Sequence, residues 1–488
     1  MQIALPIDSV LLLAGVLALF AMFVSASITR RFQVPGAILF LMIGMVVGDD
    51  GLNLISLSNV ELVRTIGVVA LIFILLEGGL TTKPTDLRLA AAPGVLLATI
   101  GVMLTAAITT LGVWLLLDVD LITAALLGAV VSSTDAAAVF SMMRTTALPR
   151  RTAALLRVES GSNDPIAVVL TVGLITTFER GASAGEWVSF ALLQMLGGTA
   201  VGALVGALGV LALRRLRLTI EGFYPLTVAA FGLLSYGVAV QLGASGFIAV
   251  YVTGLILGSK LPRHRRVILD FHEAIGNAAE IGLFLVLGLL VFPSRLPAVA
   301  LAASLVALVL MFVARPLAVW VCTLGQGLSW RERTVITVGG LKGAVPIVLA
   351  TFPLTAGVPG ADVIFDVVFF VVLVSLLVQG LALMPTVRAL RFATVGPAWA
   401  PVAETIPLYG IEIDLVELHI TPDMPIVGRP LAELQMPEGS IVTAIVRRDQ
   451  VVIPKGDTAP QVDDVLLITT QRGSDAERAC TEWARGER

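Results

Sequence analysis

The chain carries a long series of apolar stretches, each long enough to form a helix across a lipid bilayer. The hydrocarbon core of a bilayer is about 30 Å thick, so a membrane-spanning helix needs about 20 mostly apolar residues. Charged residues make up only 14% of the chain and hydrophobic residues 57%, whereas soluble domains carry about 25% charge. Most of this chain is therefore expected to have lipid as its solvent.

The sequence predicts an all-α polytopic membrane domain with thirteen spans. The predicted spans cover residues 9–29, 35–49, 62–82, 90–117, 121–144, 152–178, 187–213, 222–241, 243–259, 271–292, 297–321, 331–355 and 362–387. Basic residues concentrate in alternate connections, namely those that follow spans one, three, five, seven, nine, eleven and thirteen. By the positive-inside rule, this alternation predicts an N-terminus outside the cell and a C-terminus in the cytoplasm.

The chain changes character after the last predicted span. Residues 1–392 are predicted to form the membrane domain, residues 393–407 a linker rich in proline and alanine, and residues 408–488 a small cytoplasmic α/β domain. In that domain, alternating apolar residues predict strands within "IEIDLVELHI", "SIVTAIVRRDQVVIP" and "DDVLLITT". A net charge of −3 offers no argument for a nucleic-acid partner.

Eight charged side chains within the apolar spans are candidates for a functional role. At the centre of a membrane each costs about 2.5–3.5 kcal/mol on insertion scales, so each needs a reason. They are Glu77, Asp135, Arg157, Glu159, Asp164, Glu280, Arg315 and Lys342. Any single one can be explained by structural pairing of acid with base. Because the acids outnumber the bases, pairing does not account for the whole set, and a transport pathway is the alternative.

Span six places four polar groups on neighbouring faces of one helix. Glu159 and Asn163 are four residues apart, and so are Ser160 and Asp164. This polar flank is expected to face the interior of the bundle. Carboxylate and hydroxyl oxygens suit hard cations, and desolvation favours the protonated form of a buried acid. A proton and a metal cation are therefore expected to compete for Asp164.

Spans five and twelve each contain a segment that is expected to leave the helix. In span five, three hydroxyl residues (132–134) come directly before Asp135, and in span twelve three glycines and Pro346 surround Lys342. A simple kink is the alternative explanation. If spans 1–6 and 8–13 are inverted repeats on either side of span seven, the two segments correspond. Interrupted helices at equivalent places of two inverted halves indicate the binding site of a transporter.

Four motifs, in this order and spacing, resemble those of the NhaP-like branch of the cation/proton antiporter superfamily. They are "SSTDAAAVFSMMR", "ESGSNDP", "ARPLAV" and "GGLKGAVPIVLAT", and the resemblance covers residues 1–390. The tail is similar to the C-terminal module of RCK (TrkA-C) regulatory domains. Together they imply a potassium/proton antiporter of the bacterial cytoplasmic membrane, present in lipid as a homodimer.

The resemblance also implies roles for particular residues. Asn163 and Asp164 correspond to the Asn-Asp pair of electroneutral members, with Asp164 carrying either the cation or the proton. Thr134 and Asp135 match the acidic position in span five, and Glu77 is similar to a third acidic ligand.

Three further positions complete the comparison with the family. Glu159 matches the acid that pairs with Arg315, which implies a structural clamp. Lys342 stands where the family usually has arginine, so the positive charge is kept but the planar guanidinium group, with its bidentate hydrogen bonding, is lost.

These expectations predict alternating access, in which Asp164 crosses the barrier only with a cation or a proton. Potassium is favoured, and sodium stays open because both ions take the same oxygen ligands. A cation channel gated by the tail is the alternative class, although the sequence has no "TVGYG"-like filter. A membrane enzyme would need a metal-binding histidine pair or a nucleophile elbow, and neither occurs.

No resident cofactor is expected, and no metal other than the transported ion. A nucleotide or cyclic di-AMP is a candidate regulatory ligand of the tail. Arg447 and Arg448 are expected either to meet a phosphate or, more simply, to face water.

Overall fold

The computed structural model describes residues 36–55, 57, 59–82, 84–135, 139, 148–181, 183–215, 220–261, 264–390, 402–408, 411–421, 424–447, 450–471 and 476–485. The first predicted span (9–29), most of the second half of span five and Arg448 lie outside these residues. The chain divides into two compact units, residues 1–395 and residues 396–488. Each unit has its own hydrophobic core.

Among the described residues, all regular secondary structure of the first unit is helical. Its helices are α1 (Gly36–Val47), α2 (Val60–Thr81), α3 (Pro84–Leu96), α4 (Val102–Leu116), α5 (Leu121–Val130), α6 (Arg150–Arg180), α7 (Ala184–Leu192), α8 (Gly198–Arg215), α9 (Phe223–Gln241), α10 (Gly246–Lys260), α11 (Arg265–Leu290), α12 (Leu296–Val309), α13 (Arg315–Cys322), α14 (Trp330–Val338), α15 (Ala344–Thr355) and α16 (Ala361–Ala389). Single π-helical turns join α3 to α4, α7 to α8 and α12 to α13, so each of these pairs runs on as one helix.

Helices occupy the positions predicted for spans two to thirteen. Among the described residues, six helical stretches are long and apolar enough to cross a membrane. They are Ala92–Leu116, Gly185–Arg215, Phe223–Gln241, Arg265–Leu290, Pro293–Cys322 and Ala361–Ala389. Shorter apolar helices, such as α10 and α15, lie between them. The total of thirteen stays a prediction.

The helices of the first unit pack in two groups. In one group, α1 and α2 pack against α10 and α11, which also contact α8 and α9. In the other group, α3–α6 and α12–α16 pack against one another. The groups meet where α15 lies against α2 and α11, and where α6 lies against α10. The uninterrupted helices α6 and α16 both belong to the second group, beside the two shorter helices α5 and α15.

Within its described residues, the second unit is a small antiparallel sheet with one α-helix. Its elements are β1 (Val402–Leu408), β2 (Ile411–His419), β3 (Ser440–Arg447), β4 (Gln450–Val452), β5 (Val465–Gln471) and α17 (Ala476–Arg485). The strand order is β1-β2-β5-β3-β4, and all pairs are antiparallel. Apolar side chains of the inner strands, including Val416, Ile445 and Ile468, form its core with Cys480 of α17.

The linker predicted over residues 393–407 is wrong at its C-terminal end. Strand β1 begins at Val402 and pairs along its length with β2. Pro407 lies within this strand, and proline is tolerated there because β1 is at the edge of the sheet. The proline-rich composition therefore predicted a linker where the structure has an edge strand.

Candidate functional site

Two interrupted spans meet in the interior of the second helix group. Span twelve is broken between α14 and α15, where residues 339–343 leave the helix, and α5 ends at Val130, after which residues 131–135 continue without helix. The two non-helical segments contact each other, because the backbone N–H of Asp135 donates a hydrogen bond of 2.8 Å to the carbonyl of Leu341. We call the segments 131–135 and 339–343 together the crossing.

Lys342 lies at the centre of the crossing and is 1% exposed. Its Nζ donates hydrogen bonds to the backbone carbonyls of Ser132, at 3.2 Å, and Ser133, at 2.8 Å. These carbonyls follow the end of α5, where the helix no longer supplies N–H partners. The ammonium group also lies at the C-terminal, negative end of the α5 dipole. The lysine therefore stabilises the end of the interrupted helix.

The next residue, Gly343, allows close contact with Asp135. A Cβ atom at position 343 would overlap the carboxylate of Asp135, so that carboxylate lies directly on the glycine backbone. Asp135 is half-buried and has interactions beyond this contact. Only glycine leaves the space for this arrangement.

The Asn163–Asp164 pair of α6 lies beside the crossing. Asn163 donates from Nδ2 to Thr134 Oγ1 at 2.6 Å, which joins α6 to the segment 131–135. Asn163 is 0% and Asp164 8% exposed, and Asp164 interacts electrostatically with Asp135 and Lys342. Among the described residues, Asn163 Oδ1 and Asp164 Oδ1 find no hydrogen-bond partner. Two neighbouring residues thus each present an unsatisfied oxygen inside the protein.

Further acids approach from the first helix group. Glu77 on α2 and Glu280 on α11 interact electrostatically with one another, and Glu280 also interacts with Asp135. Gly276, one turn before Glu280 on α11, lies against the side chain of Glu77, as a Cβ there would be 3.3 Å from Glu77 Cγ. The acids of the site are therefore divided between the two helix groups.

Glu159 and Arg315 form a buried ion pair, with 1% and 3% exposure. The guanidinium binds both carboxylate oxygens: Nη1 contacts Oε1, and Nη2 donates to Oε2 at 3.1 Å. Nη2 also donates to the carbonyl of Ile336 in α14 at 3.1 Å. A Cβ at Gly340 would overlap the guanidinium, so the glycine makes room for the pair. The pair thus joins α6, α13 and the end of α14.

Ser160 lies on the same face of α6 as Asp164, one turn earlier, and is partly buried. The structure therefore brings Thr134, Asp135, Asn163, Asp164 and Lys342 together at the crossing, with Glu77 and Glu280 on its other side.

Three buried polar residues of α16 are absent from the sequence-based set. Asp366 is 6% exposed, Ser375 0% and Gln379 7%. Asp366 satisfies the same criterion as the other acids, because it is a charged residue within an apolar span. Ser375 and Gln379 are four residues apart in a run of valine and leucine, and this i, i+4 polar pair is the signal that identifies them.

In the second unit, Arg447 is paired within the protein, so the expectation that it simply faces water is wrong. It donates to both carboxylate oxygens of Asp464, at 2.9 and 2.7 Å, and to the carbonyl of Ala459 at 2.9 Å. The hydrogen bond to Asp464 raises the pKa of Arg447 above its usual range. The arginine therefore holds β3 to the segment that leads into β5.

A helical membrane unit whose broken spans enclose buried acids defines a secondary ion transporter. Comparisons with known proteins agree with this class. Residues 16–389 match the family model "Sodium/hydrogen exchanger, transmembrane", and residues 415–477 match the TrkA-C domain. The chain belongs to the sodium/hydrogen exchanger family and carries a TrkA-C domain, and it is a monovalent cation/proton antiporter rather than an enzyme.

Individual relatives extend over nearly the whole chain. It is 37% identical to the K(+)/H(+) antiporter NhaP2 of Shewanella sp. (strain ANA-3), covering 96% of this chain and 82% of that protein. It is 36% identical to the K(+)/H(+) antiporter NhaP of Alkalimonas amylolytica, covering 95% and 81%. A solved structure, the sodium proton antiporter MjNhaP1 from Methanocaldococcus jannaschii, matches with a TM-score of 0.65 at 25% identity, covering 76% of this chain and 99% of that chain.

Proposed function

We propose that this protein exchanges K⁺ for H⁺ at Asp164, with one proton or one cation carried in each direction. The supporting observation is that two oxygens buried beside the crossing, Asp164 Oδ1 and Asn163 Oδ1, have no hydrogen-bond partner in the part of the chain that the structure describes. A buried polar atom without a partner costs about 1–3 kcal/mol, which a bound ion or proton would remove. Carboxylate, amide and hydroxyl oxygens are the donors that hard cations prefer.

Exchange follows from the cost of moving a bare charge. An ionised carboxylate in a low-dielectric interior is strongly disfavoured unless it is paired. Asp164 then changes its exposure only when it carries a proton or a cation, and the two ligands compete for it. Because Asn163 is neutral, one carboxylate crosses with one positive charge, and the exchange is electroneutral. Thr134, Asp135, Ser160 and Glu77 complete the cation site in this proposal, and Glu159 with Arg315 holds the helices in place.

Alternating access is assigned to movement between the two helix groups. Asp164 and Asp135 belong to one group, and Glu77 and Glu280 belong to the other, so a relative displacement changes the surroundings of the ion. In this proposal the membrane unit has thirteen spans, with inverted repeats formed by spans 1–6 and 8–13, an N-terminus outside and a C-terminal domain in the cytoplasm. Two copies form a homodimer in the cytoplasmic membrane.

K⁺ is favoured because relatives that cover nearly the whole chain, at 36–37% identity, are named K(+)/H(+) antiporters. Na⁺ is the second candidate. The Na(+)/H(+) antiporter NhaS2 of Synechocystis sp. is 31% identical over 385 residues, and MjNhaP1 is a sodium proton antiporter.

The test uses purified protein in proteoliposomes with a pH-sensitive dye inside. An outward K⁺ gradient is expected to drive proton uptake in the wild-type protein and not in Asp164→Asn. Asp366→Asn is the matched control, because it neutralises another buried aspartate at a position outside the crossing. Proton movement of wild-type size in Asp164→Asn would remove this residue from the mechanism. The same assay with Na⁺ compares the two ions.

A cation channel differs from an antiporter in that its K⁺ flow is not coupled to proton movement. A channel would let K⁺ flow without any counter-movement of protons, and the flux would generate a membrane potential. Electroneutral exchange driven by a pH gradient is expected to proceed unchanged when valinomycin and equal K⁺ concentrations on both sides clamp the membrane potential at zero.

We also propose that the TrkA-C domain regulates exchange and takes a nucleotide or cyclic di-AMP, with no resident cofactor. Because Arg447 is paired with Asp464, it is not proposed as the phosphate contact. The test adds these ligands to the full-length protein and to a chain that ends after residue 395, and compares the exchange rates of the two proteins. Regulation predicts a ligand-dependent rate only in the full-length protein, and identical rates in both at every pH would contradict it.

A further inference from the structure

We propose that Ser375 and Gln379 of α16 are positioning residues that set the cation affinity of the site through the backbone of Lys342. This inference rests on the proposed exchange function. The backbone N–H of Lys342 donates to Ser375 Oγ at 3.0 Å, and the hydroxyl of Ser375 donates to Gln379 Oε1 at 2.5 Å. The two side chains thus form a short hydrogen-bonded chain that ends on the break in span twelve.

The break creates the need for such a partner. Residues that precede the first turn of a helix have N–H groups without a helical acceptor, and here the surroundings exclude water, since Lys342 is 1% and Ser375 0% exposed. The hydroxyl of Ser375 fills this role because it can accept from the backbone and donate to Gln379 at once. Gln379 fixes the direction of the hydroxyl proton, so the oxygen lone pair faces Lys342.

Lys342 is held from three directions. Its Nζ binds the carbonyls of Ser132 and Ser133, the preceding carbonyl of Leu341 accepts from Asp135, and its own N–H binds Ser375. The contacts of Nζ and of the Leu341 carbonyl connect the break with span five, whereas the contact of the Lys342 N–H connects it with α16. Loss of the α16 contact therefore lets the break move together with the segment 133–135, which lies beside Asp164.

The simpler explanation is that Ser375 only stabilises the fold, as any buried hydrogen bond does. The chain contains a matched control for this case. Ser235 of α9 is also 0% exposed, and its Oγ accepts a hydrogen bond of 2.8 Å from Thr253 in the first helix group. Ser235→Ala thus removes a buried hydroxyl and one hydrogen bond at a place remote from the crossing.

The test measures the half-saturating cation concentration for exchange in proteoliposomes, with whichever ion drives exchange in the wild-type protein. Thermal unfolding of the same variants is measured in detergent. Both serine variants are expected to lose similar thermal stability. Ser375→Ala is expected to raise the half-saturating concentration about tenfold, the equivalent of one lost hydrogen bond, and Ser235→Ala is expected to leave it unchanged. Equal half-saturating concentrations in the two variants would overturn the positioning role.

A double-mutant cycle provides a second, independent measurement. Gln379→Leu removes the group that orients the hydroxyl, so it is expected to raise the half-saturating concentration by less than Ser375→Ala does. The double variant is expected to match Ser375→Ala alone, because both changes act through one chain. Additive effects would contradict the proposal. Asp164→Asn in the same experiment reports on the proposed exchange function, so failure of that proposal is seen separately.

Discussion

Asn163 donates a hydrogen bond of 2.6 Å to the hydroxyl of Thr134, and this contact connects an uninterrupted helix with the segment in which span five leaves its helix. The contact uses the amide nitrogen of Asn163, whereas the amide oxygen of Asn163 and Oδ1 of the adjacent Asp164 have no hydrogen-bond partner among the described residues. The contact therefore positions the two free oxygens at the crossing.

Breaking the Glu159–Arg315 pair is expected to destabilise the protein strongly. Arg315→Met leaves the carboxylate of Glu159 buried without a partner, at a cost of about 3–5 kcal/mol. The double variant Glu159→Gln/Arg315→Met is expected to recover part of this loss, since no charge is left unpaired. Thermal unfolding in detergent measures both, with the exposed Arg388→Met as control. Equal stability of Arg315→Met and the control would contradict the structural role.

Lys342→Arg is expected to retain exchange, because a guanidinium keeps the positive charge and can donate to the carbonyls of Ser132 and Ser133. Lys342→Met is expected to lose exchange, since it removes both hydrogen bonds and leaves the end of α5 without a cation. Proton uptake in proteoliposomes distinguishes the two variants. Full activity of Lys342→Met would show that the ammonium is dispensable.

Gly343→Ala is expected to displace Asp135, because the added methyl group overlaps the carboxylate. We expect at least a tenfold loss of exchange rate, since a shift of about 1 Å at a binding group can cost a hundredfold. Gly237→Ala on α9 is the matched control, because nothing lies within 4 Å of its new methyl group. In a helix this control change is expected to be neutral or stabilising by about 0.5–1 kcal/mol. Exchange rates are compared at equal amounts of folded protein, and identical rates would disprove the overlap.

Arg447→Met is expected to loosen the sheet of the second unit. Asp464 is 1% exposed and loses two hydrogen bonds from a charged partner, each worth about 1.5–3 kcal/mol. Amide hydrogen exchange in β3 and β5 of the full-length protein is therefore expected to accelerate. Arg429→Met, which changes an exposed arginine of the same unit, serves as control. Unchanged protection in β3 would show that the pair carries little of the stability.

Much of this molecule was predictable because lipid imposes a simple rule on sequence. A membrane helix must be apolar for about 20 residues, so the positions of α1 to α16 follow from the stretches that satisfy this length. The glycines and Pro346 around Lys342 likewise indicated the break in span twelve, since neither residue type favours a continuous helix. In the second unit, the alternating strands β2, β3 and β5 were predicted, but β1 was not, because an edge strand can contain proline and need not alternate.

The sequence by itself determined that this chain crosses a membrane, where its spans lie and which charged residues need a partner or a function, because each of these depends on local composition. Apart from the Glu159–Arg315 pair, which the family resemblance implied, only the tertiary structure decided which of those residues meet. Glu280 approaches Asp135, Lys342 binds two carbonyls of span five, and Ser375 of α16 binds the break in span twelve, across more than thirty residues of chain. Such contacts depend on how helices pack against one another, and helix packing brings together side chains whose separation along the chain carries no signal.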